Sequence, residues 1–285
     1  MNRLYIALYT TLVLYAIVLS TLYNPIWIIV MISAGLAYGV LSAIVAVRRL
    51  YFLAAASPHV ALLAIALAIP TASFFGGYEL LYAIAYSIIV IYTAGYLIRK
   101  GIDANIATSV IVGFTASFSI LVVYYVLSSY PIEFSLSAII MGDPLLASWD
   151  EAVVALLLAI SVAILTLLTY REQVSLGVDR DMARLVGVND KVYDVLAYTL
   201  LGLCTVGLLR VVGYILVHVL VLLPPSIAVI RGRSAWDTVN LSILVAVTAS
   251  LTGLHMGVLL DLSPTGLTGL ALVIMYIVAL VRHKK

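Results

Sequence analysis

Three histidines, His59, His218 and His255, stand inside long apolar runs of the 285-residue chain. Imidazole is neutral near pH 7 and binds first-row divalent metals through a ring nitrogen, so histidines at mid-depth in such runs suit a transient metal path. Burying an ionisable group in hydrocarbon costs at least roughly 2.5 kcal/mol unless it meets water, a partner or a ligand. Hydropathy places His59 about two turns into one run and His218 at the middle of another, with His255 toward the far end of a third. Pro58, beside His59, kinks its helix and frees a backbone carbonyl one turn earlier. His59 and His218 are therefore the candidate metal ligands; the alternative for each is a packed, hydrogen-bonded core histidine. Arg210, also within an apolar run, would repel a cation and is expected to snorkel or to pair with an acid.

The other concentration of polar chemistry is Arg171 to Lys191, REQVSLGVDRDMARLVGVNDK, which holds 8 of the chain's 28 formal charges. Its spacing predicts a short helix starting near Asp179, with acids at the positive end and Gly187 closing it. Met182, Leu185 and Val186 would form an apolar stripe on that helix, suited to a membrane interface or a groove in a partner protein. A solvated connecting loop is the other reading.

The elements that must position these residues follow from composition. Hydrophobic residues make up 65% of the chain and charged residues 10%, and the mean hydropathy is +1.21. Soluble domains lie far from these values, and the chain reads as an all-α polytopic membrane protein in one domain, 1–285. A span needs about 20 apolar residues. Ten are predicted, near 4–22, 25–47, 52–73, 79–98, 105–128, 151–170, 193–209, 211–230, 237–260 and 265–281, with one span over 193–230 as the alternative to the pair there. With a cytoplasmic amino terminus, fourteen of the fifteen Lys and Arg residues fall inside, all but Arg210. Both termini and 171–191 are then cytoplasmic, in a cell membrane. The stretch from Pro131 to Trp149 is too short to span and too apolar for a solvated loop. It is expected to dip into the outer leaflet, placing Gly142-Asp143-Pro144 by a vestibule.

No G-x-x-x-x-G-K-[ST], H-E-x-x-H, G-x-S-x-G or paired-cysteine zinc pattern occurs, so neither ATP hydrolysis nor another enzymatic activity is expected of this chain. No nucleic-acid partner and no bound cofactor are expected. Cys204, the single cysteine, excludes an internal disulfide.

Five segments, in order, resemble the permease subunits of zinc- and manganese-type ABC importers: GVLSAIVAVRRLYFLAAASPHVAL, MGDPLLAS, VDRDMARLVGVN, LRVVGYILVHVLVLLPP and LDLSPTGLTGL. The resemblance runs from about Leu41 to Ala279 and leaves the first span, within 1–24, outside. It implies a homodimeric permease moving zinc or manganese as substrate. Two cytoplasmic ATPases would dock on the segment containing Asp179, Met182, Ala183, Leu185 and Gly187, and an extracellular solute-binding protein would deliver the metal. Two positions depart from the pattern. Ala55 stands where the family usually carries an aspartate four residues before its histidine, and His218 stands where it usually carries a small residue. A stand-alone secondary transporter or channel, which would want intramembrane acids for coupling, and an ABC permease for a non-metal substrate are the competing readings.

Overall fold

The computed structural model describes residues 2–130 and 142–283. Its helices are α1 (Asn2–Leu22), α2 (Pro25–Arg48), α3 (Tyr51–Phe75), α4 (Glu79–Arg99), α5 (Ala104–Ser129), α6 (Trp149–Val178), α7 (Arg180–Leu185), α8 (Asp190–Arg231), α9 (Ala235–Leu260) and α10 (Pro264–His283), with a 3₁₀ turn at Pro144–Leu146. Among the described residues, all of these helices except α7 are long and apolar enough to cross a membrane. Their starts are set by local chemistry. Asn24 caps α2 just before Pro25, Asp103 caps α5, Ser148 and Glu151 form a reciprocal capping box on α6, and Ser234 caps α9. Each side chain satisfies a backbone N–H that the first helical turn leaves open.

Helix α2 is the most enclosed, packed between α6 and α9 and touching α8. Gly35 and Gly39, four residues apart, let the α9 backbone come close, since a Cβ on either would lie 2.8 Å from an α9 Cα. This small-residue contact replaces the hydrophobic driving force that is absent between helices in lipid. Helix α1 lies at the periphery with most of its apolar side chains exposed. Tyr5 donates to Asp237 and Tyr9 to Asn240, tying α1 to α9 at two levels, and Tyr23, just past α1, meets His255.

Residues 193–209 and 211–230 fall in one 42-residue helix, α8, that is broken inside at Gly213 (φ 77°, ψ 158°). Straight, it would be about 63 Å long, roughly twice a hydrocarbon core. Instead it folds back. Asp190 and Asp194, near its start, meet Arg99 and Arg48 at the ends of α4 and α2. Gly232, just past its last residue, lies against Thr238 of α9, whose first residue accepts a hydrogen bond from Tyr170 of α6. Both ends therefore lie at the cation-rich end of the bundle. Gly213 lies at the opposite end, beside Gly142, and Val211 clusters there with Val30 and Ala152. The two arms run back to back, as the two-span reading expects, with the turn three residues past Arg210. Arg210 itself pairs with Glu79 at the start of α4.

The backbone at Gly213 occupies a region open essentially to glycine alone. Gly142 faces it so closely that an added Cβ would sit 2.2 Å from the Gly213 nitrogen. Gly213→Ala is expected to destabilise the fold by about 1–3 kcal/mol, the usual cost of one forbidden backbone conformation. Denaturant unfolding in mixed micelles measures it, and an unchanged midpoint would mean that the kink accepts a side chain.

The polar segment differs from its expected extent. Residues 171–178 continue α6 as helix rather than forming loop, because Tyr170, Gln173 and Leu176 prolong a buried stripe at helical spacing. The start of α8 takes Asp190 and Lys191, which leaves 179–189 as the connector. Most of the outer segment expected to dip into the membrane, 131–141, lies outside the described residues.

Candidate functional site

The two histidines singled out by type and depth come together. His59 on α3 and His218 on the second arm of α8 face each other edge to face, ring centroids 5.2 Å apart. Tyr214, one residue past the kink, packs against both. Its hydroxyl is 2.9 Å from His59 Nδ1 and 3.1 Å from Nε2, and its ring is 4.6 Å from that of His218. His218 Nδ1 lies 3.1 Å from the Tyr214 carbonyl. A carbonyl only accepts, so Nδ1 is the ring nitrogen that carries the proton in this contact. All three side chains are half-buried.

The carbonyl that Pro58 frees has a donor of its own. The Ala54 oxygen accepts from the Ser57 hydroxyl at 2.8 Å, and Ser57 is fully buried. The acceptor that loses its helix donor at Pro58 is thus satisfied within the same turn. His255 stands apart, with Nδ1 3.1 Å from the Tyr23 hydroxyl. Among the described residues no three His, Cys, Asp or Glu side chains group closely enough to hold a metal. Two imidazoles and a phenol make a sparse set, suited to brief contact rather than storage.

Asp143 caps the 3₁₀ turn by accepting from the Leu145 N–H at 2.9 Å. The Trp27 indole N–H donates to the Leu145 carbonyl at 2.9 Å, and Thr265 reaches the Gly142 carbonyl at 3.5 Å. These bonds hold the turn between the starts of α2 and α10, with Gly142 pressed on the kink that precedes Tyr214. The expected vestibule residue and the histidine pair are therefore linked through Gly213.

At the cation-rich end, α7 forms where the spacing places it. Asp179 caps it by accepting from the N–H groups of Asp181 and Met182, both at 3.0 Å. After it the chain turns through Gly187 at φ 89°, and the Val188 N–H bonds back to the Ala183 carbonyl at 3.0 Å. Met182, Leu185 and Val186 are 60%, 81% and 77% exposed, so the apolar stripe points away from the bundle. Ala183 points the other way and is buried.

Sequence reasoning missed the ionic centre beneath α7. The Arg48 and Asp194 side chains, each 1% exposed, pair directly. Arg48 also donates to Gln173, whose amide donates to the Tyr193 carbonyl at 3.2 Å. Arg180 donates to both oxygens of Asp194 at 3.1 Å, Arg184 reaches Asp190 at 2.7 Å, and Arg99 approaches both acids. The available signal was a carboxylate four residues past Asp190, one helical turn into an apolar run.

With this geometry in place, comparison with known proteins is specific. The ABC 3 transport family matches residues 19–283. A probable metal transport system membrane protein of Thermotoga maritima is 27% identical over 227 residues, covering 79% of this chain and 78% of the relative. The manganese import system permease protein ScaB of Streptococcus parasanguinis is 24% identical over 237 residues, 83% of this chain and 82% of that protein. The solved structure of PsaBC from Streptococcus pneumoniae in complex with Fab superposes with a TM-score of 0.78 at 19% identity, covering 90% of this chain and 91% of that one. The fold is thus shared along most of the chain.

Proposed function

Since the chain belongs to the ABC 3 transport family, we propose that it is the membrane-spanning permease subunit of an ABC importer for a divalent transition metal. The observation that carries the metal assignment is the meeting of His59, His218 and Tyr214 at the kink of α8. The ion passes this point through neutral nitrogen ligands, with no carboxylate to hold it, and is released. ATP hydrolysis resides in separate subunits that dock on α7, where the exposed Met182, Leu185 and Val186 stripe fills a groove in the ATPase. Asp179 and Gly187 delimit that helix, and Ala183 seats it on the bundle. The assembly is a permease homodimer with an extracellular solute-binding protein delivering metal near Asp143. Both termini and the connector 179–189 are cytoplasmic, as their shared cation-rich end supports.

The decisive experiment is reconstitution of the chain with its cognate ATPase in liposomes. ATP-dependent accumulation of zinc or manganese above the nucleotide-free control is expected, and accumulation of neither would overturn the reading. The docking part has its own test. Leu185→Asp is expected to weaken ATPase association by roughly thirtyfold, since losing a central apolar anchor costs about 2 kcal/mol or more. Co-purification in detergent reads this directly, and undiminished association would make α7 a mere connector.

A further inference from the structure

Helix α7 is only six residues long and buries only Ala183 of its own side chains, so its attachment to the bundle is chiefly ionic. Arg180 grips Asp194 with a two-pronged contact, and Arg184 holds Asp190. Asp190 and Asp194 are one turn apart on the same face of α8. From the other side Arg48, ending α2, and Arg99, ending α4, converge on the same carboxylates. Among the described residues, Asp194 is thus the one buried acid at which α2, α4, α8 and the connector helix meet.

From Asp194 the first arm of α8 runs without a break to Val212, about 28 Å at 1.5 Å per residue. It then reaches Gly213, whose backbone departs from helix, and immediately Tyr214 and His218. A helix with its internal hydrogen bonds intact moves as a rod, and a residue with free φ and ψ at its end serves as a hinge. We propose that Asp194 is the positioning residue through which α7 drives the first arm of α8, and that Gly213 is the hinge where this motion reaches the His59–Tyr214–His218 contact. The inference rests on the reading of α7 as the ATPase dock. Bidentate arginine contacts suit this task because they fix direction as well as distance. At the far end, Arg210 on Glu79 and Gly142 on Gly213 restrain the hinge from two sides, so a displaced arm must rearrange the kink.

Arg180→Gln removes the two-pronged contact while leaving Arg48 and Arg99 on Asp194, and Arg180 is 38% exposed in its side chain, so folding is not at stake. In the assembled complex, the variant is expected to bind the ATPase and hydrolyse ATP as the unsubstituted chain does. Metal transported per ATP should fall by about tenfold, within the range common for coupling between sites. Backbone amide exchange across residues 209–219 should lose its change on ATP addition. A passive staple would move neither readout, and an unchanged ratio with an unchanged exchange response overturns the inference alone. Loss of ATPase binding in Arg180→Gln would place Arg180 in the dock itself and also overturn it. An ATPase that fails to bind the unsubstituted chain overturns the docking reading first.

Discussion

Metal uptake is expected to fall at least about tenfold on His59→Ala or on His218→Ala, with the double variant hardly worse than the poorer single one. Each 1.4 kcal/mol of lost contact is a factor of ten. The near-equality of single and double follows from the geometry. The rings stand 5.2 Å apart and share Tyr214, and groups that act as one unit lose their effect when either is removed. Imidazole ligands suit zinc better than manganese, which favours carboxylate and water, so zinc uptake should suffer more than manganese uptake. The assay is ATP-dependent uptake in the assembled complex, with ATPase association checked for each variant. Rates equal to the unsubstituted complex in all three would end the assignment, leaving the histidines as packed core residues.

Asp194→Ala is expected to be among the most destabilising single substitutions in the chain, costing about 3–5 kcal/mol, because it leaves a buried arginine without its counter-charge. Among the described residues Arg48 would keep only Gln173 as a hydrogen-bonding partner, while its side chain is 1% exposed. Arg180 and Arg99 would retain Asp190. The combined change Arg48→Met with Asp194→Leu should recover most of the loss, since replacing both members of a buried pair by apolar side chains of similar size is often neutral. Unfolding of the isolated chain in mixed micelles measures both. A single variant as stable as the starting protein would show that the carboxylate is dispensable there.

Much of this architecture was legible in the amino-acid sequence. Long apolar runs and the lopsided distribution of Lys and Arg determine that the chain is helical, crosses a membrane repeatedly and keeps one end basic, because a lipid environment leaves the backbone few alternatives. Asp179 and Gly187 bound α7 through local backbone chemistry, which needs no tertiary contact. Histidine inside an apolar run is conspicuous for the same local reason, so His59 and His218 stood out. Tertiary structure decided which of these residues meet. His59 and Tyr214 are 155 positions apart, and only the rotation of α3 and α8 about their axes brings them together while leaving His255 with Tyr23. The same packing extended α6 through Arg171 and Glu172. It also gathered Arg48, Arg99, Arg180 and Asp194 from four segments into one ionic centre. Residue type and spacing constrain a single helix face, whereas the partner of that face is set by how the whole bundle closes.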